Sequence, residues 1–149
     1  VGLKYRLSTG NHLYLSAGWQ DWSEFGEKNE VSLQGRVTTL DRKWDDTWHA
    51  GVAFSHQRGM GHGYSVGFTY ESSPVEDKYR TYDLPVDEIY KLSASYFWEG
   101  NRNLDFSLGS TLYLVGDADI DVTAQGVRSA GKFDKNYILF LGGTARYRF

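Results

Sequence analysis

The sequence predicts an all-β chain whose long antiparallel strands form a barrel, and three observations predict it. Apolar and polar residues alternate with period two along nearly the whole chain, and no 3.6-residue stripe competes. Glycine and aromatics are abundant and proline is scarce, with 17 Gly, 2 Pro, 8 Phe, 11 Tyr and 5 Trp in 149 residues. Clusters of turn-forming residues separate the alternating runs, as hairpins require.

The elements follow in order. Val1, Leu3, Tyr5 and Leu7 alternate with Gly2, Lys4 and Arg6, and Ser8-Thr9-Gly10-Asn11 turns the chain. Leu13, Leu15, Ala17 and Trp19 resume the pattern, which stumbles around Trp22 to Gly26 and returns as Val31, Leu33, Gly35 and Val37. Trp48, Ala50, Val52 and Phe54 lead to a turn holding Gly59, Gly61 and Gly63. Tyr64, Val66, Phe68 and Tyr70 follow, and Pro74 and Pro85 lie in the next loop. Tyr90, Leu92, Ala94, Tyr96 and Trp98 precede the turn from Glu99 to Asn103. Leu104, Phe106, Leu108, Leu112 and Leu114 come next, then a polar stretch from about 116 to 135. The last run is Tyr137, Leu139, Leu141, Gly143, Ala145, Tyr147 and Phe149. This gives seven or eight strands in a single domain, 1–149.

Composition excludes several classes. The chain has no cysteine, so it has neither a disulfide framework nor a thiolate metal site. A net charge of −3 gives no electrostatic reason to expect nucleic acid. Mean hydropathy is −0.51, and no run approaches the roughly 18 apolar residues of a membrane helix. A membrane barrel stays open, because its strands alternate and look soluble on average. The chain begins at Val1 without an initiator Met or signal peptide, which reads as a processed chain or a fragment.

Alternation does not by itself tell a soluble barrel or sandwich from a transmembrane one. Three features favour the membrane. The polar face is small, made of Ser, Thr and Gly with Lys4, Arg6, Glu71, Lys91 and Asp105. Aromatics of the apolar face gather near strand ends, at Tyr5, Trp19, Trp48, Tyr64, Tyr70, Tyr90, Trp98 and Tyr147, as girdles at two lipid–water interfaces do. Short turns near 58–63 and 99–103 alternate with long loops near 72–87 and 116–135. The expected fold is thus an antiparallel transmembrane β-barrel of the bacterial outer membrane, with short turns in the periplasm and long loops outside. Outer-membrane lipid and lipopolysaccharide are its expected surroundings.

Particular segments carry a resemblance. Trp19-Gln20-Asp21-Trp22-Ser23-Glu24-Phe25 resembles the W-x-x-W-S-x-F segment of the FadL-like long-chain fatty acid transporters, and Trp44-Asp45-Asp46-Thr47-Trp48 also looks like theirs. Tyr70-Glu71-Ser72-Ser73-Pro74-Val75, Arg80-Thr81, Leu84-Pro85 and Lys91-Leu92-Ser93-Ala94-Ser95-Tyr96 resemble that family's D-x-S-P-V, R-T, L-P and L-S-x-G-x-Y run. Glu71 and Ser95 depart from its commonest form. The resemblance implies a Gram-negative outer-membrane channel that lets hydrophobic molecules, long-chain fatty acids first, pass by diffusion. It covers the C-terminal part of such a transporter, without the N-terminal hatch. It also makes residues 11 to about 36 one interrupted strand, giving seven; a bend in 22–46 would give eight. The chain then closes alone, belongs to a larger barrel, or shares one with a second chain. A small structural or adhesion-type barrel and an outer-membrane lipid-modifying enzyme are the rival readings.

The candidate ligand site is at the outer mouth. Arg42 and Lys43 are set to meet a carboxylate and Trp44 to pack on an acyl chain, with Trp22 and Phe25 as further aromatics; Asp41, Asp45 and Asp46 can neutralise the cations instead. The inward positions offer little apolar surface for a deep pocket. Lys4, Arg6, Arg36, Lys91 and Glu71 read as a salt-bridge network in the lumen, and Arg80 as a tie from the 72–87 loop to carbonyls. No catalytic residue is assigned. His12, Tyr14 and Ser16 share a strand face, but a two-residue step spans about 6–7 Å, too far for a nucleophile–base bond. Asp117, Asp119 and Asp121 resemble a calcium loop, yet Val122 and Arg128 stand where that loop needs Gly and Glu. No cofactor or metal is expected. Phe149, a terminal aromatic on an alternating strand, looks like the signal read by the barrel assembly machinery.

Overall fold

A computed structural model describes residues 1–26, 29–33, 36–40, 42–59, 61–101, 103–124, 127–134 and 136–149, with the backbone alone at 25–26, 29–33, 36–40, 101, 124 and 127. Seven strands make one antiparallel sheet: β1 (Gly2–Ser8), β2 (Asn11–Gln20), β5 (Thr47–Arg58), β6 (His62–Glu71), β7 (Ile89–Asn101), β8 (Leu104–Val115) and β11 (Asn136–Tyr147), in that spatial order. Two hairpins stand apart from it, β3 (Asn29–Leu33) with β4 (Arg36–Leu40) and β9 (Asp119–Ala124) with β10 (Val127–Lys132). One helical turn, α1 (Ser23–Gly26), follows β2. Among the described residues no helix is long and apolar enough to cross a membrane.

Register keeps the two faces separate across all seven strands. Leu15 stands opposite Val52, Val52 opposite Phe68, Phe68 opposite Leu92, Leu92 opposite Leu112, and Leu112 opposite Leu139. A one-residue slip anywhere would break this row, so the apolar pattern itself fixes the register. The row is exposed: Leu92 is 46% and Leu139 58% accessible.

Aromatics border this face at both ends, as the sequence predicts. At the long-loop end Trp48, Tyr70 and Tyr90 form a contiguous run, with ring centroids 5.0 and 5.2 Å apart, and Trp19 pairs with Trp48 across the β2–β5 ladder. At the short-turn end Tyr96, Trp98 and Phe106 stack in series at 5.8 and 5.0 Å, and Tyr147 meets Phe149 at 5.1 Å.

The short turns use glycine where the backbone needs it. Gly10 has φ +81°, and a Cβ there would lie 2.2 Å from the Gln57 carbonyl oxygen, so no other residue fits. Gly59 and Gly61, in the β5–β6 turn, also have positive φ.

Four expectations need correction. Residues 11 to about 36 are not one interrupted strand. β2 stops at Gln20, because Asp21 caps α1: its Oδ1 accepts from the Ser23 hydroxyl at 3.0 Å and the Glu24 N–H at 3.4 Å. The 22–46 region adds a separate hairpin, not an eighth strand of the sheet. The polar 116–135 stretch folds largely as the β9–β10 hairpin, because Ala118 and Ile120 give it something to bury. Nor is the inner face poor in apolar surface. Phe97, Tyr113, Ile138 and Phe140 all share the polar residues' face, and Tyr113 meets Phe140 edge-on at 5.2 Å.

The remaining inner face is polar and small. Ser65 bonds Ser95 at 2.7 Å, and the Ser107 hydroxyl donates to Thr144 at 3.0 Å. Lys91 pairs with Glu71 at 2.6 Å and lies over Tyr113, while Lys4 lies over Tyr14. Arg6 donates to the Thr9 hydroxyl at 3.4 Å. Of the expected salt-bridge network, Lys91 and Glu71 alone form an ion pair among the described residues, because Lys4 and Arg6 turn to the neutral Tyr14 and Thr9 instead; the Arg36 side chain lies outside the described residues. The sheet does not close: β1 and β11 are its two edges.

Candidate functional site

The long-loop end carries the candidate site, and a buried arginine builds its floor. Arg80 is 1% exposed. Its Nε donates to the Val86 carbonyl at 2.7 Å, its Nη2 to the Val75 carbonyl at 3.3 Å, and its Nη1 to the Asp119 carbonyl. It also pairs with Asp77 at 2.6 Å and Asp87 at 3.0 Å. Arginine suits this place because five donors in a fixed plane can serve several acceptors at once. Val75, Ala118 and Ile120 are buried with it. The Asp121 N–H donates to the Asp77 carbonyl at 3.3 Å, and the Ala118 N–H to Asp87 Oδ2 at 3.0 Å. Loop 72–88 and the β9–β10 hairpin are thereby one packed cap. The tie from Arg80 to carbonyls is as the sequence predicts.

The segment entering β5 docks onto this cap. The Asp45 N–H donates to the Pro74 carbonyl at 2.7 Å. Arg42 forms a two-point ion pair with Asp83, Nη2 to Oδ2 at 2.7 Å, and its Nη1 donates to the Thr81 hydroxyl at 3.1 Å. Its guanidinium lies 5.9 Å from the Trp44 ring centroid. Trp44 meets Trp22 edge-on at 5.4 Å.

Three of the sequence-predicted site residues, Arg42, Trp44 and Trp22, are therefore together. Lys43 is exposed beside them with φ +49°, and the Phe25 side chain lies outside the described residues. Arg42 turns to Asp83, 41 positions along the chain, a partner that local sequence gives no sign of. The neighbouring aspartates have other work: Asp46 Oδ1 accepts the Ser23 N–H at 3.1 Å, and Asp41 lies outside the described residues.

Charge follows this wiring. Hydrogen bonds from Arg42 and then Thr81 hold the Asp83 carboxyl down at about 2. The Ser23 hydrogen bonds lower Asp46. Burial, then the Asp87 charge, raises Glu88. Asp121 is lowered by its bidentate bond to Arg128, at 2.7 and 2.8 Å, and Lys132 stands 3.6 Å from Asp117. Two of the three calcium-like aspartates thus face cations, and the Asp119 carbonyl faces Arg80. No group of three metal-ligating side chains occurs among the described residues. His12 stacks loosely with Tyr14 at 6.4 Å, and among the described residues no bond joins His12 to Ser16.

An exposed apolar sheet face with aromatic borders at two levels, backed by a polar face of Gly, Ser and Thr, defines a class: the wall of an outer-membrane β-barrel, whose strands do the crossing. A family model described as "Outer membrane protein transport protein (OMPP1/FadL/TodX)" matches residues 1–149, and the chain belongs to that family. Its members are transporters of the outer membrane for hydrophobic compounds. No curated protein sequence matches the chain.

Proposed function

We propose that this chain forms part of a passive outer-membrane path for long-chain fatty acids, with the short turns in the periplasm, the capped loops outside among lipopolysaccharide, and the first ligand contact at the outer mouth. The supporting observation is the Trp22–Trp44 pair beside the Arg42 guanidinium. It offers two indole faces to an acyl chain and a fork of N–H donors to a carboxylate. Asp83 holds that fork at rest, and its own side chain is 58% exposed, so an incoming carboxylate can exchange with it at little desolvation cost. Behind the mouth, Lys91, Tyr113, Phe140 and Ile138 continue an amphipathic track on the inner face.

The test replaces Arg42 and Lys43 together with Gln. Oleate binding should weaken by about 1.5–3 kcal/mol, the loss of a charge-assisted hydrogen bond, while an uncharged alcohol of equal length binds as before. Uptake of labelled oleate into liposomes should fall in parallel. Equal weakening of both ligands, or of neither, removes these residues from the path.

A further inference from the structure

The outward, apolar face is not uniformly apolar. At its short-turn end a hollow of about 450 Å³ is lined by His56, Arg58, His62, Gly63, Tyr64 and Tyr96. A furrow of about 600 Å³ adjoins it, with Val66, Tyr96, Leu108 and Leu141 as walls and Ala94 and Ser110 in its floor. Tyr96 belongs to both. Register explains the continuity: His62 faces Trp98, Tyr64 faces Tyr96 and Val66 faces Ala94, so the hollow passes into the furrow along β7 toward the middle of the sheet.

The hollow carries the positive charge of Arg58 and the N–H donors of two imidazole rings, and no carboxylate lines it or the furrow. Among the described residues Arg58 has no carboxylate partner. His62 Nδ1 lies 2.9 Å from the Tyr96 hydroxyl. With that hydroxyl donating, the ring carries its proton on Nε2 and keeps it for an anion. His56 Nδ1 is held by Asn11 Oδ1 at 2.7 Å. The furrow has a floor of small residues, where Ala94 faces Ser110 across the β7–β8 ladder, between larger walls. An anionic head and an apolar chain, joined at the level of the aromatic border, fit this shape.

We propose that the outward face of β5–β8 and β11 is a binding site for one phospholipid of the leaflet at the short-turn end. Its phosphate is held by Arg58 and His62, and one acyl chain lies over Ala94 and Ser110. The site rests on the apolar face being the lipid-facing one. It is independent of the outer mouth, so oleate transport can fail while this site stands.

The experiment uses the full chain in the assembly it forms in detergent, stripped of lipid and checked for its folded gel mobility. Dioleoyl phosphatidylglycerol, dioleoylglycerol and lipid A are added in turn, and native mass spectrometry reads the bound fraction. Phosphatidylglycerol should be retained about tenfold more than dioleoylglycerol, the effect of one charge-assisted contact. Arg58→Gln with His62→Gln should remove that difference, and Arg58→Lys alone should keep most of it. Ala94→Leu, which fills the furrow and leaves the charges, should lower phosphatidylglycerol retention on its own. Retention unaffected by the charge pair or by Ala94→Leu would overturn the site. So would full competition by millimolar inorganic phosphate, which would mean a free-anion site, or a preference for lipid A, which would mean the opposite leaflet.

Discussion

Replacing Arg80 with alanine should open the loop cap and leave the sheet intact. The magnitude follows from what the side chain holds. Asp87 is 13% exposed and loses its cation, and breaking one side of such a pair costs about 3–5 kcal/mol. The carbonyls of Val75, Val86 and Asp119 each lose a donor worth about 1 kcal/mol net. Asp77 is exposed and adds about 0–1 kcal/mol. These groups share one guanidinium, so their losses do not add, and about 4 kcal/mol is expected. That is roughly a thousandfold in the local opening equilibrium. Hydrogen exchange on the folded protein in detergent reads it at the Asp121 and Ala118 amides, both bonded within the cap. Their protection should fall about a thousandfold, with the β5–β6 ladder unchanged. Arg80→Lys, which keeps the charge and loses the planar fork, should fall between. Cap protection that survives Arg80→Ala within about tenfold would refute the assignment of Arg80 as the tie. Equal loss in the ladder would refute the independence of cap and sheet.

Other predictions follow from single contacts. The Asp83 carboxyl sits at about 2, below its unfolded value near 3.9, so its stabilisation is full above pH ~4 and is lost as pH falls toward 2; exposure limits it to under about 1 kcal/mol. Acid titration of tryptophan fluorescence should show that step, and Asp83→Asn should abolish it. Gly63→Ala places a Cβ 2.0 Å from the Phe97 ring and 2.9 Å from the His56 carbonyl oxygen and should cost about 1–3 kcal/mol in urea unfolding from detergent, with the ring's share alone recovered by adding Phe97→Leu. Deleting Phe149, exposed at the end of the apolar face, should lower folded yield in cells while refolding from urea into detergent is unchanged. Equal loss in both would make Phe149 a packing residue.

The sheet was legible because period-two alternation is a local signal. Leu13, Leu15, Ala17 and Trp19 reveal their shared face without knowledge of any partner strand, and the same logic located the aromatic borders. The cap was less legible because its pairings are not local. Arg42 meets Asp83 across 41 positions, and Arg80 meets the Asp119 carbonyl across 39. The sequence marks Arg80 as a tie, since an arginine in a proline-bounded loop needs acceptors, but it cannot say which carbonyls. The inner apolar patch was missed for another reason. Tyr113, Ile138 and Phe140 alternate with apolar neighbours on both sides, so a continuous apolar run hides which face each residue joins. The β9–β10 hairpin was hidden by its charges, which belong to its exposed side and to its cross-strand pair Asp121–Arg128.

The inner face also bears on how far the barrel wall extends. A barrel of about eight strands has an interior that side chains fill. Here the inner face includes Gly51, Gly67, Ser93, Ser95, Gly109 and Gly142, with side chains too short to reach across such a lumen. Large inner residues are fewer and share rows with these small ones: Tyr14 and Phe140 stand in the row of Gly67 and Ser93, and Tyr113 and Ile138 in the row of Gly51. The edges agree. β1 and β11 stay unpaired to each other, and unpaired strand edges facing lipid cost several kcal/mol per group. Small inner side chains, open edges and a largely apolar outer face are each consistent with part of a larger barrel.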